Sequence, residues 1–341
     1  MKTALHTVSY AGVWPGQVCL SLEAIIEKAR RFGFDGLMLM AKRPHASPLD
    51  LDAPRRKELR ARLEDAGLSL ACLAAYNDFT AGAERPDVPL LEAQIVYIEQ
   101  LARLAADLGG NLVRVFTGCE HSALSHSQSW QRCVAGLKEA ARRAADSGVT
   151  LAVQNHHDIA NHHDALLELL SEIDEPNCQA AFDAWAPALQ GADLAEAVRK
   201  LGSRIVHTTV ADYVRRPRFR YESSLVNFLP QPPAVSAVPM GQGIVNYPAF
   251  FKALSDAGYN GFAAYEMCSP LRGGGSEDNL DRCARRFLEY MTELDRKPPA
   301  AKTAGAAREK GSRRAGALRR HSFGASATRL LPRARKGKSE P

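Results

Sequence analysis

A chain of 341 residues with 45% hydrophobic content can bury the core of one large or two ordinary domains, and its net charge of +6 is unevenly placed. Residues 298–341 hold twelve Lys or Arg against two Glu, a net +10, in a stretch rich in Ala, Gly and Ser that predicts a disordered basic tail over 297–341 and leaves the rest net −4. Seven cysteines without a CxxC pair argue against a disulfide framework or zinc knuckle, the N-terminus has no signal-peptide apolar core, and no apolar run approaches the roughly 20 residues of a membrane span. A cytoplasmic protein without a membrane partner is expected. The tail can attract phosphates or anionic lipid non-specifically, and no specific nucleic-acid partner is expected for it.

The first strand is expected around Ala4–Ser9. One phrase then repeats, a charged amphipathic helix, a glycine and a short apolar strand: RRFGFDGLMLM, EDAGLSLACLA, ADLGGNLVRVF, ADSGVTLAVQ, RKLGSRIVHTT and SDAGYNGFAAYE. The glycine of each phrase marks an αβ joint. A strand Cys178–Asp183 behind a helix Asp164–Ile173 completes eight strands alternating with helices. GLMLM and LSLACLA are apolar at consecutive positions, which predicts a parallel sheet covered on both faces. These elements predict an α/β fold, a (β/α)8 TIM barrel over 1–296; a doubly wound sheet fits less well because no GxGxxG turn follows an early strand.

Chemistry in such a barrel belongs to the C-terminal ends of its strands. Taken in order, those ends offer Lys42, Arg114, Gln154, His156, His157, Asp183, His207, Asp212, Glu266 and Arg272. Asp183 and Glu266 each close an apolar run, AAFD and FAAYE, where a buried carboxylate needs a cation or donor beside it. Lys42, Arg43 and His45 offer a basic loop for an anionic substrate. The segment 215–228, with four arginines, is long for a βα connection and reads as a lid. Arg272 and the N-cap candidate Ser276 begin the last helix, His162 and His163 read as a solvated turn, and Met38 and Met40 as core.

The placement of Asp183 and Glu266, the phrase VPMGQGIVNY (238–247) and the run His207-Thr-Thr-Val-Ala-Asp212 resemble the xylose isomerase-like barrel superfamily, the sugar phosphate isomerases and epimerases, over roughly 1–294. The resemblance implies a divalent metal held by a glutamate ending strand five, an aspartate ending strand six, a histidine of an HxHxxD phrase on strand seven and a glutamate ending strand eight. Here those positions read Gln154, Asp183, Thr209 and Glu266, and the histidine expected three residues after Asp183 is Ala186. The expectation is a remodelled site for Mn, Mg, Co or Zn, with Gln154, Asp183, His207 and Glu266 as ligands; the alternative is that these groups hydrogen-bond one another and hold no ion.

The resemblance further implies a small-molecule carbohydrate substrate and proton abstraction beside a carbonyl, with Glu266, Asp183 and His207 catalytic. His156, His157, Asp212, Arg114, Lys42 and Arg272 are the expected substrate-binding set. Isomerisation or epimerisation of a sugar, sugar acid or keto-sugar leads; a lyase or dehydratase and a non-catalytic sugar-binding barrel are the alternatives. A glutamine cannot act as a second base, which favours single-base isomerisation or β-elimination. Backbone cleavage of DNA is disfavoured by the net −4 body and the missing histidines. A homo-oligomer is left open.

Overall fold

The computed structural model describes residues 1–296; the expected basic tail, 297–341, lies outside the described residues. In chain order the strands are β1 (Lys2–His6), β2 (Gly36–Met40), β3 (Ser69–Ala74), β4 (Leu112–Val115), β5 (Thr150–Gln154), β6 (Cys178–Ala181), β7 (Ile205–Val210), β8 (Asp212–Glu222), β9 (Asn227–Val238) and β10 (Phe262–Tyr265). All but β8 and β9 close into one parallel barrel, with β10 joining β7 to β1. The expected TIM barrel is therefore the observed fold.

Alternation along each strand divides its side chains between two environments. Leu37, Leu39, Leu73, Val113, Val115, Leu151 and Val153 pack outward into the main core beneath the helices. Ala4, Met38, Cys72, Ala74 and Ala264 form a separate inner cluster. These inner residues are mostly small, and the space they leave takes the buried side chains of His6, Arg114 and His207. Polar residues thus replace part of the branched aliphatic filling usual inside such barrels.

Boundaries shift where side chains intervene. The first strand stops at His6, because the His6 ring accepts the Val8 N–H and caps a 3-10 turn over Thr7–Tyr10. Strand six ends at Ala181, two residues before Asp183. The segment read as a lid loop is instead the antiparallel β8–β9 hairpin, and the alternation in RRPRFRYE is the period-two signal for it. Tyr221 pairs with Phe228 and Phe219 with Pro230, while Arg218 and Arg220 alternate to the other face.

Two braces hold the barrel's surroundings, one at its mouth and one in its helical layer. Asp212 Oδ2 accepts the N–H groups of Gly241 (3.0 Å) and Gly243 (2.8 Å), and its Oδ1 those of Tyr213 (3.0 Å) and Val245 (3.4 Å). A Cβ on Gly243 would stand 1.9 Å from Asp212 Oδ1, so the second glycine of MGQG is required by close approach. On the barrel's outer layer, Lys28 of α1 (Leu22–Phe32) is 4% exposed, and its Nζ meets Glu277 and Asp281 of the C-terminal helix at 2.8 Å each.

Candidate active site at the barrel mouth

Asparagine side chains extend the sheet past the strand ends. Asn155 Oδ1 accepts the Asp183 N–H (2.8 Å) and its Nδ2 donates to Asp183 O (3.1 Å), adding a rung beyond β5 and β6. Asn77 does the same for Phe116 beyond β3 and β4, at 2.7 and 2.9 Å. Each amide mimics a peptide group, so the residues after these strands are held almost as rigidly as the strands.

Asp183 is fully engaged. Its Oδ1 accepts the Thr209 N–H at 2.7 Å, and its Oδ2 accepts from both the Thr209 hydroxyl and Gln154 Nε2. Gln154 Nε2 also donates to Thr209 Oγ1 at 3.1 Å. A glutamate at 154 would face the Asp183 carboxylate, whereas a neutral amide donates to it. Burial pushes the Asp183 carboxyl up to about 7, with the charge of Glu266 adding to the rise and the Thr209 and Gln154 hydrogen bonds opposing it.

Glu266 follows β10 with its N–H donated to Val210 O at 3.0 Å, while its Oε2 is buried without a partner. His207 lies two residues before Thr209 on the same inward face, about 7 Å deeper by strand rise. Its Nε2 approaches Met38 Sδ at 3.4 Å and its Nδ1 has no partner. Burial, then Arg114, lowers His207 to about 3, and the same two causes in the same order lead the fall at His6. The structure thus brings together Gln154, Asp183 and Thr209 and leaves His207 in the barrel interior.

An aromatic rim surrounds the mouth. It runs from Tyr76 to Phe116 (ring centroids 6.2 Å apart), to His156 (5.0 Å), to Trp185 (5.9 Å) and to Tyr213 (5.0 Å), with His157 stacked on Phe116 at 4.1 Å. His156 and His157 face each other Nδ1 to Nδ1 at 3.1 Å, and burial first, then His157 and Arg114, brings His156 down to about 4. Arg114 Cζ sits 3.9 Å from the Phe116 ring, and Lys42 Nζ lies 3.9 Å from the Tyr76 ring. Tyr76, Phe116, Trp185 and Tyr213 were not among the expected site residues, although the first three stand at strand ends legible in the sequence. The available signal was an aromatic residue within four positions of the ends of β3, β4, β6 and β7.

Two expected substrate contacts stand apart. Asp212 spends its carboxylate on three backbone amides of the 241–245 loop and on that of Tyr213, and the exposed Arg272 donates its backbone N–H to Ala237 O at 3.0 Å. Ser276 is an N-cap as expected, accepting from Asn279 N–H at 3.4 Å. Of the hairpin arginines, Arg215 donates to Leu189 O and Arg220 pairs with Glu222 at 3.1 Å.

A divalent cation does not fit the mouth as its donors are arranged. Neutral donors occupy both Asp183 oxygens, Gln154 presents N–H rather than carbonyl, and His207 faces Met38. Among the described residues, the one group of three His, Cys, Asp or Glu with ligand atoms within 4.8 Å is His162, His163 and Asp164. There Asp164 Oδ1 is tied to Lys200 Nζ at 2.7 Å, and His162 Nδ1 accepts the Asp164 N–H at 3.2 Å, capping the helix His163–Ile173. Of the two histidines read as a solvated turn, His162 is exposed and His163 is buried.

Comparison with known proteins places this geometry in context. Residues 26–291 match the family model described as the xylose isomerase-like TIM barrel. The chain is 26% identical over 301 residues to a 3-dehydroshikimate dehydratase of Bacillus anthracis, covering 86% of this chain and all of that protein. It is 20% identical over 273 residues to a fructoselysine 3-epimerase of Shigella flexneri, covering 78% of this chain and 90% of that one. Among solved structures, a D-psicose 3-epimerase of Clostridium cellulolyticum H10 with D-tagatose superimposes with a TM-score of 0.66 at 19% identity, over 86% of this chain and 99% of that chain. No helix among the described residues is long and apolar enough to cross a membrane.

Proposed function

Because the chain belongs to the xylose isomerase-like TIM barrel family, we propose that it is an acid–base enzyme that removes a proton beside the carbonyl of a small sugar, sugar acid or keto-sugar. One observation carries the reading: Glu266 Oε2 is buried and unpartnered at the end of β10, beside a mouth whose other carboxylate is fully hydrogen-bonded. Glu266 is the base. Asp183, raised to about 7 by burial and by the charge of Glu266, is available as the acid that protonates the developing enediolate oxygen. The aromatic rim supplies apolar faces on which a sugar ring or chain can lie.

Gln154 favours a second outcome of the same step. Epimerisation through both faces of an enediolate uses two bases, and the amide at 154 cannot take a proton. One base is enough for aldose–ketose isomerisation or for loss of a β-hydroxyl as water, and relatives named both epimerase and dehydratase support weighing the two. A divalent ion on Asp183 and Glu266 would require the Gln154 and Thr209 donors to leave Asp183, and metal analysis tests that reading.

The test is solvent exchange. Candidate ketoses, sugar acids and keto acids are incubated with the enzyme in D2O and their α-protons followed by NMR, which detects proton abstraction whichever product forms. Exchange should fall at least 100-fold in Glu266→Gln. Exchange that persists unchanged in that variant removes Glu266 as the base.

A further inference from the structure

We infer that Lys42 and Arg114 form a carboxylate-binding site at the barrel mouth, so that the ligand is a sugar acid or polyhydroxylated keto acid rather than a neutral keto-sugar. This rests on reading the mouth as the substrate site, and it adds the ligand's charge, which the acid–base reading leaves open.

Among the described residues Arg114 is the largest fully buried side chain, 1% exposed. Its Nη1 donates to Ala75 O at 2.8 Å, and its Nε is buried with no partner. The guanidinium lies 3.9 Å from the ring of Phe116 and 5.3 Å from that of Tyr76, and Lys42 Nζ lies 3.9 Å from the same Tyr76 ring. Two cations therefore share one aromatic ring, and among the described residues neither has a carboxylate oxygen within 4 Å. Lys28 shows how this protein treats a buried cation whose role is structural: Glu277 and Asp281 both reach its Nζ at 2.8 Å. Arg114 is more deeply buried than Lys28 and lacks any such counterion.

An unpaired buried charge is costly, and π faces offset only part of the cost. The repulsion is felt within the pair, since burial and then Arg114 depress Lys42. An anion bound between them relieves both penalties. A carboxylate fits better than a phosphate: one ammonium and one largely committed guanidinium match a single charge, and the Glu266 carboxylate at the end of β10 repels a dianion more strongly than a monoanion. His156 and His157, held below their usual range chiefly by burial, add no charge for a phosphate.

The test uses the full chain and matched probes, D-glucuronate, D-glucose and D-glucose 6-phosphate, then the galacturonate series, titrated calorimetrically at fixed ionic strength. The uronates should bind at least 10-fold more tightly than the neutral sugars. Lys42→Met, on an exposed loop, should erase that preference without loss of folding, and the unaltered basic tail makes it its own control for non-specific anion binding. Arg114→Met should do the same if it folds. Equal or undetectable binding of uronate and neutral sugar, or a preference untouched by Lys42→Met, overturns the proposal; tighter binding of the sugar phosphate overturns the carboxylate assignment. Uronate binding without solvent exchange leaves the anion site standing and sinks the enzymatic reading, whereas exchange confined to neutral ketoses does the opposite.

Discussion

Gln154 donates its side-chain N–H to Asp183 where β5 and β6 open into the barrel mouth, and Thr209 donates to the same carboxylate from β7. Three neighbouring strand ends are thereby joined by neutral donors around one buried acid.

This network predicts metal behaviour. Protein purified without a histidine tag should hold well under one equivalent of divalent metal. The double change Gln154→Glu with Thr209→His supplies an anionic and a nitrogen ligand beside Asp183 and Glu266, and should gain Mn or Co binding measurable by elemental analysis and by a metal-dependent rise in Tm. One tight equivalent in the wild type that disappears in Asp183→Ala and Glu266→Ala refutes the neutral-network account.

The raised Asp183 carboxyl predicts a pH dependence. Its folded value of about 7 lies above its unfolded value of about 3.9, so the native state binds the extra proton between these limits. Its contribution is fully present below about pH 4 and is lost as pH rises through about 7, on the order of 2–4 kcal/mol. The buried histidines His6, His156 and His207 act in the opposite sense, because their lowered values favour folding above about pH 6.5. A difference measurement isolates Asp183: between pH 5 and pH 8, Asp183→Asn should lose less stability in urea than the wild type does. Parallel losses in both proteins contradict the assignment.

The clasp on Lys28 predicts a stability loss far from the mouth. Lys28→Ala takes the buried ammonium from Asp281 and Glu277, leaving Asp281 the Tyr10 hydroxyl at 2.9 Å, and removes a cation lying 5.5 Å from the rings of both Tyr10 and Phe32. It should cost about 3–5 kcal/mol in urea unfolding. Ligand binding at the mouth should be unaffected under conditions where the variant is folded.

The close approach at Gly243 predicts another. In Gly243→Ala the new Cβ meets Asp212 Oδ1 at 1.9 Å and Tyr213 O at 2.6 Å, both held by the 241–245 loop. A loss of about 2–4 kcal/mol is expected. Gly258→Ala provides the comparison, since its φ of +79° strains an added side chain but nothing lies within 4 Å of it. A smaller loss at 243 than at 258 removes steric contact with Asp212 as the cause.

Much of the architecture was legible locally. The helix–glycine–strand phrase and the apolar runs behind Asp183 and Glu266 are properties of consecutive residues, so the barrel and its two mouth carboxylates could be read without knowing which strands pair. The hairpin was missed because a long arginine-rich connection was weighed by length, although Arg and aromatic residues alternate along it with the period of a strand. Partners across the barrel were not legible. That Gln154 and Thr209 both bond Asp183, that His207 meets Met38, and that Arg114 lies buried with no carboxylate beside it all follow from ring closure and strand stagger. Sequence by itself determined which residues stand at the strand ends, since helical and strand periodicity are short-range; only the tertiary structure decided which of those residues meet, since parallel strands pair through crossovers whose register no local pattern carries.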